Sequence, residues 1–326
     1  MKPTTPSPHI LILDSHTTNP GDLSWEGLEA MGTLQVFERT PANEIVPRAA
    51  AAQILLTNKT VLTAEIIAQL PNLQLVCLMS TGTNAVDLDA CAKRGIPVCN
   101  VPAYSTASVA ELVTAYLLTW ARAVETHNTS VRNGDWVQSP DFAYWLTPQR
   151  ELNGRIFGVI GFGEIGQAVT RIAIGLGMRV RAYSRTTTDK PQLGQVFRPL
   201  ENVLASADVL SLHCPLTPET TRLIRADTLA TMKPDALLIN TGRGGLIDEA
   251  DVASALQKGQ LGGAFLDVLS SEPPKADNPL LTAPRCVITP HIGWATREAR
   301  DRLVTELIAN VRAFLEGSPR NVVNQA

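Results

Sequence analysis

The sequence lacks the features that mark several classes of protein. Its five cysteines form neither a Cys-x-x-Cys pair nor a cysteine–histidine cluster, which argues against a zinc site or a disulfide framework. No apolar run reaches the roughly 18 residues of a membrane span, and the first residues do not resemble a signal peptide. The net charge of −3 gives no reason to expect a nucleic acid or an anionic membrane as a partner. We therefore expect a cytoplasmic protein that binds no metal and keeps its cysteines reduced.

The composition is that of a globular protein, with 44% hydrophobic and 18% charged residues. A chain of 326 residues suggests two domains, each large enough to bury its own core. Short apolar runs alternate with helical patterns along most of the chain. The predicted strands are residues 9–14, 34–37, 54–57, 75–79, 155–160, 179–183, 209–213, 236–240, 264–268 and 287–289, and a further strand is predicted within residues 95–102. This alternation predicts an α/β fold built on parallel sheets.

The strongest motif follows the predicted strand at residues 155–160. Residues 161–166 read Gly-Phe-Gly-Glu-Ile-Gly and open a helical pattern, which is the setting that a dinucleotide-binding Gly-x-Gly-x-x-Gly motif requires. Gly161 permits the tight turn, Gly163 leaves room for a pyrophosphate, and Gly166 lets the helix and the strand pack closely. The free N–H groups at the start of the helix would then face the phosphates.

Three polar side chains follow predicted strands of the second half, at the edge where open parallel sheets bind ligands. Arg243 carries a permanent bidentate donor for a carboxylate, and His291 can transfer a proton near neutral pH. Glu272, five residues beyond Asp267, could hold the imidazole and favour its charged form. With a dinucleotide, these groups suffice for hydride transfer to a 2-keto acid. Spacing alone leaves open a capping arginine, a solvated glutamate and a structural histidine.

Two further segments have more than one interpretation. The small-residue loop that contains Thr81, Gly82 and Thr83 follows a predicted strand, and its backbone N–H groups could hold a carboxylate. An ordinary capped turn would have a similar sequence. Residues 133–145 are predicted to be irregular and carry two of the five tryptophans. Such a segment is compatible with a subunit interface, with a pocket wall or with simple packing.

Five motifs in this order make the chain resemble the D-2-hydroxyacid dehydrogenase family over nearly its whole length. They are Val-Ile-Gly-Phe-Gly-Glu-Ile-Gly at 159–166, His-Cys-Pro-Leu-Thr at 213–217, Ile-Asn-Thr-Gly-Arg-Gly-Gly at 239–245, Leu-Asp-Val at 266–268 with Glu-Pro at 272–273, and Thr-Pro-His-Ile-Gly at 289–293. The resemblance implies two Rossmann-like, doubly wound domains, with the coenzyme domain inserted into a flavodoxin-like substrate domain, and a homodimer. We expect residues 1–101 and 292–326 to form the substrate-binding domain and residues 102–291 to form the NAD(P)-binding domain.

The resemblance also implies a role for each site residue. Arg243 would bind the carboxylate and carbonyl of the substrate, His291 would donate the proton during reduction, and Glu272 would pair with His291. The amides of residues 81–83 would hold the carboxylate, and Asp267 would lie near the nicotinamide. The other predicted cofactor contacts follow the glycine turn and the strand ends: Glu164, Ile165, Ser184, Arg185, Thr186, Cys214, Pro215, Thr220, Thr241, Gly242 and Gly293.

One position departs from the family pattern. Ser184 and Arg185 follow the predicted strand at residues 179–183, where an acidic residue normally binds the ribose hydroxyls of NAD. Without that carboxylate nothing repels a 2′-phosphate, and the guanidinium and the neighbouring hydroxyls could bind it. We therefore predict that NADPH is used at least as well as NADH. The alternative is an arginine that points into solvent.

Residues 139–142 and 267–274 look most like the glycerate dehydrogenase and hydroxypyruvate (glyoxylate) reductase branch of the family. We therefore expect reduction of hydroxypyruvate and glyoxylate to D-glycerate and glycolate. The alternatives within the family are D-lactate, phosphoglycerate, formate and phosphite dehydrogenases. The alternative of a different class is a dinucleotide-sensing, corepressor-like scaffold that keeps the same site residues and acts by binding partners.

Overall fold

The chain forms two compact units in the computed structural model, which describes residues 7–185 and 196–324. The first unit is discontinuous in sequence: it contains the described residues up to Ser105 together with those from Ala295 onward. The second unit contains the described residues between Thr106 and Trp294. The second unit is therefore an insertion into the first.

The first unit is built on a parallel sheet of five strands among the described residues. The strands are β1 (His9–Ile12), β2 (Thr33–Val36), β3 (Ile54–Thr57), β4 (Leu75–Leu78) and β5 (Val98–Cys99). Their spatial order is β2-β1-β3-β4-β5, which is the flavodoxin-like order. Strands β3 and β4 are buried throughout, as expected for central strands that have helices on both faces.

Helices surround this sheet, and three of them begin at side-chain caps, one of which is Thr296, whose hydroxyl accepts the N–H of Ala299. The helices are α1 (Glu26–Glu29), α2 (Ile45–Ala49), α3 (Ala64–Ala68), α4 (Leu88–Lys93) and, from the end of the chain, α11 (Arg297–Leu315). Thr63 accepts the N–H of Ile66, and Asp87 accepts the N–H of Ala90. These bonds satisfy N–H groups that a helix start otherwise leaves unpaired.

The last described residues complete the edge of the first sheet. Val322 forms an antiparallel bridge with Cys99, and the Val323 N–H donates to the Val98 carbonyl at 2.8 Å. The Asn324 side chain accepts the Val98 N–H, also at 2.8 Å. The short strand β5 therefore does not present an unpaired edge at these positions.

The second unit contains a seven-stranded parallel sheet within its described residues. The strands are β6 (Ile156–Ile160), β7 (Arg179–Tyr183), β8 (Val196–Phe197), β9 (Val209–Leu212), β10 (Leu237–Asn240), β11 (Gly263–Leu266) and β12 (Cys286–Ile288). Their spatial order is β12-β11-β10-β9-β6-β7-β8. The order reverses direction at β6, and this switch point is where doubly wound sheets of the Rossmann type bind ligands.

Helices cover both faces of this sheet and create two hydrophobic cores. They are α5 (Thr106–Arg122), α6 (Val124–Arg132), α7 (Glu164–Gly175), α8 (Leu200–Ser206), α9 (Ala226–Leu229) and α10 (Glu249–Gln257). Residues from α5 and α7 pack on one face, and residues from α8, α9 and α10 pack on the other. In the described part of the chain, no helix is long and apolar enough to cross a membrane.

The predicted α/β class is confirmed, and ten of the eleven predicted strands agree with observed ones to within two residues at each end. The strand predicted within residues 95–102 is observed as the shorter Val98–Cys99. Helix α6 and strand β8 were not predicted. The α6 segment is apolar only at Val124 and Val131, so it has no apolar stripe by which a helix is recognised.

Candidate active site

The glycine-rich turn joins β6 to α7, and its three glycines have different surroundings. Gly161 has a φ of +92°, in the region that favours glycine, and a Cβ there would overlap the backbone of Cys214. A Cβ on Gly166 would overlap the carbonyl oxygen of Gly161, so the helix packs directly on the turn. A Cβ on Gly163 would meet no atom of the described residues within 4 Å. Gly161 and Gly166 are therefore packed against the backbone of the protein, whereas the space beside Gly163 is open.

Two further observations show that this edge of the sheet fits a dinucleotide. Helix α7 begins at Glu164 without a side-chain cap from Gly163, so the N–H groups of its first turn are available to a phosphate. Thr241, directly after β10, has a buried hydroxyl oxygen that finds no hydrogen-bond partner among the described residues. A buried hydroxyl without a partner is costly, and a ligand at this edge would satisfy it. Glu164 and Ile165 would then lie beside the phosphates.

Ser184 and Arg185 follow β7 directly, on the strand next to the glycine turn. The Gly161 N–H donates to the carbonyl of Tyr183 at 2.8 Å, so the end of β7 and the glycine turn are joined by a backbone hydrogen bond. The predicted contact Thr186 lies outside the described residues. This position is consistent with Ser184 and Arg185 contacting the ribose that a dinucleotide presents beyond the turn.

The loop after β9 lies within electrostatic reach of Arg185. Burial raises the pKa of the Cys214 thiol, and the Arg185 guanidinium acts against this rise. A hydrogen bond from a threonine hydroxyl lowers the pKa of the Glu219 carboxyl, with a smaller contribution from Arg185. Thr220 donates its hydroxyl to the carbonyl of Pro215 at 2.7 Å, so this side chain holds the loop together. Arg185 therefore belongs to the same edge as the predicted contacts of this loop.

Arg243 is presented by a short, internally bonded turn after β10. The buried Asn240 side chain donates to the Arg243 carbonyl at 2.9 Å and accepts the Gly242 N–H at 3.1 Å. The guanidinium is half-buried and donates to the Gly242 carbonyl at 2.8 Å. Among residues 7–185 and 196–324 it forms no ion pair. Its charge is therefore available for an anionic ligand.

Asp267 organises the segment that carries the candidate histidine. The residue is buried directly after β11, and its carboxylate accepts a hydrogen bond from the Thr289 hydroxyl. The same carboxylate accepts the N–H groups of Ile292 at 2.9 Å and Gly293 at 2.8 Å. These bonds flank His291, whose φ of +55° lies in the left-handed region. Asp267 thus stabilises an uncommon backbone conformation at His291.

Glu272 and His291 form a direct pair. Nδ1 of His291 lies 2.6 Å from Oε2 of Glu272, and the other carboxylate oxygen of Glu272 accepts the Leu269 N–H at 3.1 Å. The side chains of His291 and Glu272 remain 26% and 34% exposed, so a small molecule can reach them. A histidine held at Nδ1 by a carboxylate keeps Nε2 for proton transfer.

The three strand ends that carry these residues are adjacent. Strand β10 pairs with β11, and β11 pairs with β12, all in parallel. A Cβ on Gly244 would overlap the backbone of Leu269, so the turn after Arg243 packs against the loop that leads to Glu272. The Arg243 guanidinium and a carboxylate-held imidazole therefore share one edge of the sheet with the glycine turn.

Residues 114–293 match the family model described as the NAD-binding domain of the D-isomer-specific 2-hydroxyacid dehydrogenases. The chain belongs to this family. The resemblance that the five sequence motifs indicated is thereby confirmed, and the NAD-binding description agrees with the open glycine turn.

Proteins similar to this chain include a hydroxypyruvate reductase and a glycerate dehydrogenase. The chain is 44% identical to a hydroxypyruvate reductase of Blautia hydrogenotrophica over 322 residues, which is 97% of this chain and 99% of that protein. It is 42% identical over 282 residues to a glycerate dehydrogenase of Methylorubrum extorquens, covering 86% and 88% of the two chains. A crystal structure of an NADPH-dependent glyoxylate/hydroxypyruvate reductase of Sinorhizobium meliloti, with NADP and malonate, superposes with a TM-score of 0.83 at 29% identity, covering 97% of each chain.

The predicted substrate loop of this dehydrogenase lies in the first unit, after β4. Its side chains are engaged within the loop and with the next strand: Ser80 donates to the Gly82 carbonyl at 2.7 Å and Thr81 donates to the Val101 carbonyl at 2.8 Å. The Asn100 side chain donates to the Thr81 carbonyl. These bonds leave the backbone amides as the groups that could bind a carboxylate. Binding by residues 81–83 stays a prediction.

Sequence reasoning missed several residues that support the dehydrogenase site. Tyr116 on α5 makes a hydrogen bond to the Thr289 hydroxyl, and because Thr289 donates its proton to Asp267, the tyrosine must be the donor. Ser108 donates to the Gly293 carbonyl at 2.5 Å. Nothing in the sequence pattern of α5 indicates these bonds, because their partners lie more than 170 residues away along the chain.

Proposed function

We propose that this dehydrogenase reduces hydroxypyruvate and glyoxylate to D-glycerate and glycolate with NADPH or NADH. The observation that carries the proposal is the 2.6 Å contact between His291 Nδ1 and Glu272 Oε2, at the sheet edge that also carries Arg243, which forms no ion pair with the described residues. The names of the relatives, hydroxypyruvate reductase and glycerate dehydrogenase, support this substrate class. A keto acid offers the carboxylate that Arg243 can bind and the oxygen that His291 can protonate.

The proton transfer follows from how Glu272 holds the ring. The Glu272 carboxylate accepts the hydrogen bond of Nδ1–H, so Nε2 is the ring atom left to exchange a proton with the substrate. His291 donates this proton to the keto oxygen as negative charge develops there, and it accepts the proton in the reverse direction. When bound, the reduced nicotinamide supplies the hydride to the keto carbon. Arg243 orients the substrate by a bidentate contact with its carboxylate.

The two units would divide the binding roles. We infer that residues 1–101 and 292–326 bind the substrate, with the amides of residues 81–83 holding its carboxylate, and that residues 102–291 bind NAD(P). The support for the second assignment is the open turn at Gly163 and the unpartnered hydroxyl of Thr241. The support for the first is the fold of the residue 81–83 loop, where the Thr81 hydroxyl donates to the Val101 carbonyl and so does not cap the loop amides.

We also propose a homodimer, in the cytoplasm. The segment between α6 and β6 exposes several large apolar side chains: Trp136 (50%), Val137 (90%), Phe142 (93%), Trp145 (70%) and Leu146 (54%). Several exposed large apolar side chains within one segment are typical of a protein interface, and a second copy of the chain is the partner that we propose. The five free cysteines are compatible with the reducing conditions of the cytoplasm.

The proposed activity is tested by following cofactor oxidation by the purified protein. NADH and NADPH are each offered with hydroxypyruvate, glyoxylate, pyruvate and a longer 2-keto acid. We expect the highest kcat/KM with hydroxypyruvate or glyoxylate. Faster turnover of pyruvate would instead indicate a D-lactate-type enzyme. Tight dinucleotide binding without turnover of any keto acid would contradict the proposal and favour the sensing scaffold.

The role of His291 is tested by His291→Ala. We expect kcat to fall by about 10²- to 10⁴-fold, because the proton donor is lost, while dinucleotide binding measured by fluorescence is retained. His16→Ala is the matched control, since His16 also faces a glutamate, Glu38 at 3.8 Å, but lies in the first unit far from the glycine turn in sequence. Near-normal turnover of His291→Ala would refute the assignment.

A further inference from the structure

One carboxylate outside the predicted site holds both ends of the loop that carries Glu272. Glu249 is the first residue of α10. One of its carboxylate oxygens accepts the Ser270 N–H at 2.6 Å, and the other accepts the side-chain N–H of Asn278 at 2.8 Å. Glu272 lies between these two anchor points.

Glu249 is also close in sequence to the turn that carries Arg243. Glu249 follows Arg243 by six residues, after the short helical turn Gly244–Leu246 and the cap Asp248, which accepts N–H groups of the first turn of α10. A Cβ on Gly244 would overlap the backbone of Leu269. The Arg243 turn and the Glu272 loop are therefore in backbone contact, and Glu249 bonds one to the other.

This bond lies next to the atoms that orient Glu272. Ser270 follows Leu269, whose N–H donates to Glu272 Oε1 at 3.1 Å, while Glu272 Oε2 meets the His291 ring. We propose that Glu249 is a positioning residue for reduction: it holds the loop from Leu269 to Asn278 so that Glu272 meets His291 while Arg243 stays beside them. This inference rests on the proposed function.

The donor and acceptor pattern around Glu249 allows a sharp test. Asn278 Oδ1 accepts the Leu280 N–H at 3.0 Å, so its amide group is fixed with the N–H side toward Glu249. Glu249 must accept from both Ser270 and Asn278, and only a carboxylate offers two acceptor oxygens. In Glu249→Gln the side-chain NH₂ faces another donor in either orientation. When Asn278→Asp is added, the NH₂ group of the new glutamine can donate to the new aspartate, and its oxygen can accept the Ser270 N–H. The other aspartate oxygen still accepts the Leu280 N–H.

The experiment compares the wild type with Glu249→Gln, Asn278→Asp and the double variant. The measurements are kcat and KM for hydroxypyruvate over pH 5–9 and dinucleotide binding by fluorescence. We expect Glu249→Gln to lower kcat/KM about tenfold or more, as misplaced catalytic groups do, and to move the alkaline decline of kcat/KM to lower pH. The double variant should regain most of the lost kcat/KM and most of the wild-type pH profile. Dinucleotide binding should be the same in all four proteins.

Asp251→Asn is the matched control. Asp251 also lies in the first turn of α10, but its carboxylate accepts the Ala226 N–H at 2.8 Å rather than the Glu272 loop. This variant removes the same charge from the same helix end and should leave the pH profile in place. If Glu249→Gln does not fold, Asn278→Ser replaces it, because serine still caps Leu280 but does not reach Glu249.

Three results would overturn the proposal: a Glu249→Gln enzyme with the kcat/KM and pH profile of the wild type, an equal effect of Asp251→Asn, or a double variant no better than the single one. Loss of stability with an unmoved pH profile in Glu249→Gln would also reject it, since that result describes a merely structural residue. Failure of the proposed function is a different observation, because then the wild type itself would not reduce any keto acid.

Discussion

At the scale of single residues, the candidate site is organised by carboxylates whose oxygen atoms are already engaged in hydrogen bonds. The Asp267 carboxylate accepts a backbone N–H next to His291. One carboxylate oxygen of Glu272 accepts the Leu269 N–H, and the other contacts the His291 ring. Arg243 is the site cation that the described residues leave without an ion pair. Substitutions in this group should therefore change catalysis before they change the fold.

Cofactor preference is a residue-scale property of Ser184. We expect Ser184→Asp to lower the ratio of kcat/KM for NADPH to that for NADH by about tenfold or more, because a carboxylate would repel the 2′-phosphate and bind the ribose hydroxyls instead. Steady-state kinetics with both cofactors measure this ratio. Ser184→Asn is the neutral control. An unchanged ratio in Ser184→Asp would show that Arg185 points away from the cofactor.

His213, directly after β9, makes stability depend on pH. Its Nε2 lies 2.8 Å from the Ser211 hydroxyl, and burial lowers its pKa to about 3. The unfolded chain, with an ordinary histidine, binds a proton at higher pH than the folded one, so this contribution to stability is complete above about pH 6.5 and is lost as the pH falls toward 3.

We therefore expect the cofactor-free wild type to lose about 2 kcal/mol more free energy of unfolding than His213→Asn between pH 7.5 and pH 5. Urea unfolding at the two pH values measures this difference. Equal losses in the two proteins would mean that His213 is not the titrating group.

At the scale of elements, the turn between β6 and α7 contains one glycine that leaves space for a ligand and another that the packing of the helix requires. Gly163 and Gly166 belong to one motif, yet a Cβ meets open space at the first and the Gly161 carbonyl at the second. The same substitution should therefore have opposite consequences at the two positions.

We expect Gly163→Ala to keep the thermal midpoint of the wild type and to weaken dinucleotide binding about tenfold or more, since the methyl group takes the space of the phosphate. Gly166→Ala should lose about 2 kcal/mol or more of stability, because the helix must move off the turn. Calorimetry and dinucleotide titration of both variants separate the two effects. Tight binding by Gly163→Ala would place the phosphates elsewhere.

The elements themselves were largely predictable from the sequence, and the reason is physical. Central parallel strands such as β6 and β9 are buried on both faces and so appear as continuous apolar runs. Helix α6 was missed because only Ser130 is buried in it, and strand β8 because it has two residues. Neither leaves a periodic signal.

The positions of Arg243 and His291 beyond the ends of strands were predictable, because both belong to motifs that follow apolar runs. The site was not predictable where a side chain acts through contacts that only the fold creates. Tyr116 and Thr289 are 173 residues apart, and Glu249 and Ser270 are 21 apart. Hydrogen bonds of this kind depend on the three-dimensional approach of segments, which spacing in the sequence does not encode.

At the scale of the whole molecule, the exposed apolar segment between α6 and β6 makes the oligomeric state testable. We expect light scattering to show a dimer for the wild type and a monomer for Phe142→Glu combined with Trp145→Glu, because charges in an apolar interface are costly to bury. Val61→Glu, at a comparably exposed apolar residue of the first unit (54%), should remain dimeric. A dimer that survives the double substitution would locate the interface on another surface.

The discontinuous first unit has a consequence for the order of events on the ribosome. The strand β5 gains its last partners only when Val322, Val323 and Asn324 pair with it, and α11 is also supplied by the end of the chain. All strands of the inserted unit emerge before these residues. The second sheet can therefore be complete in a nascent chain while the first still lacks the segment that closes its edge.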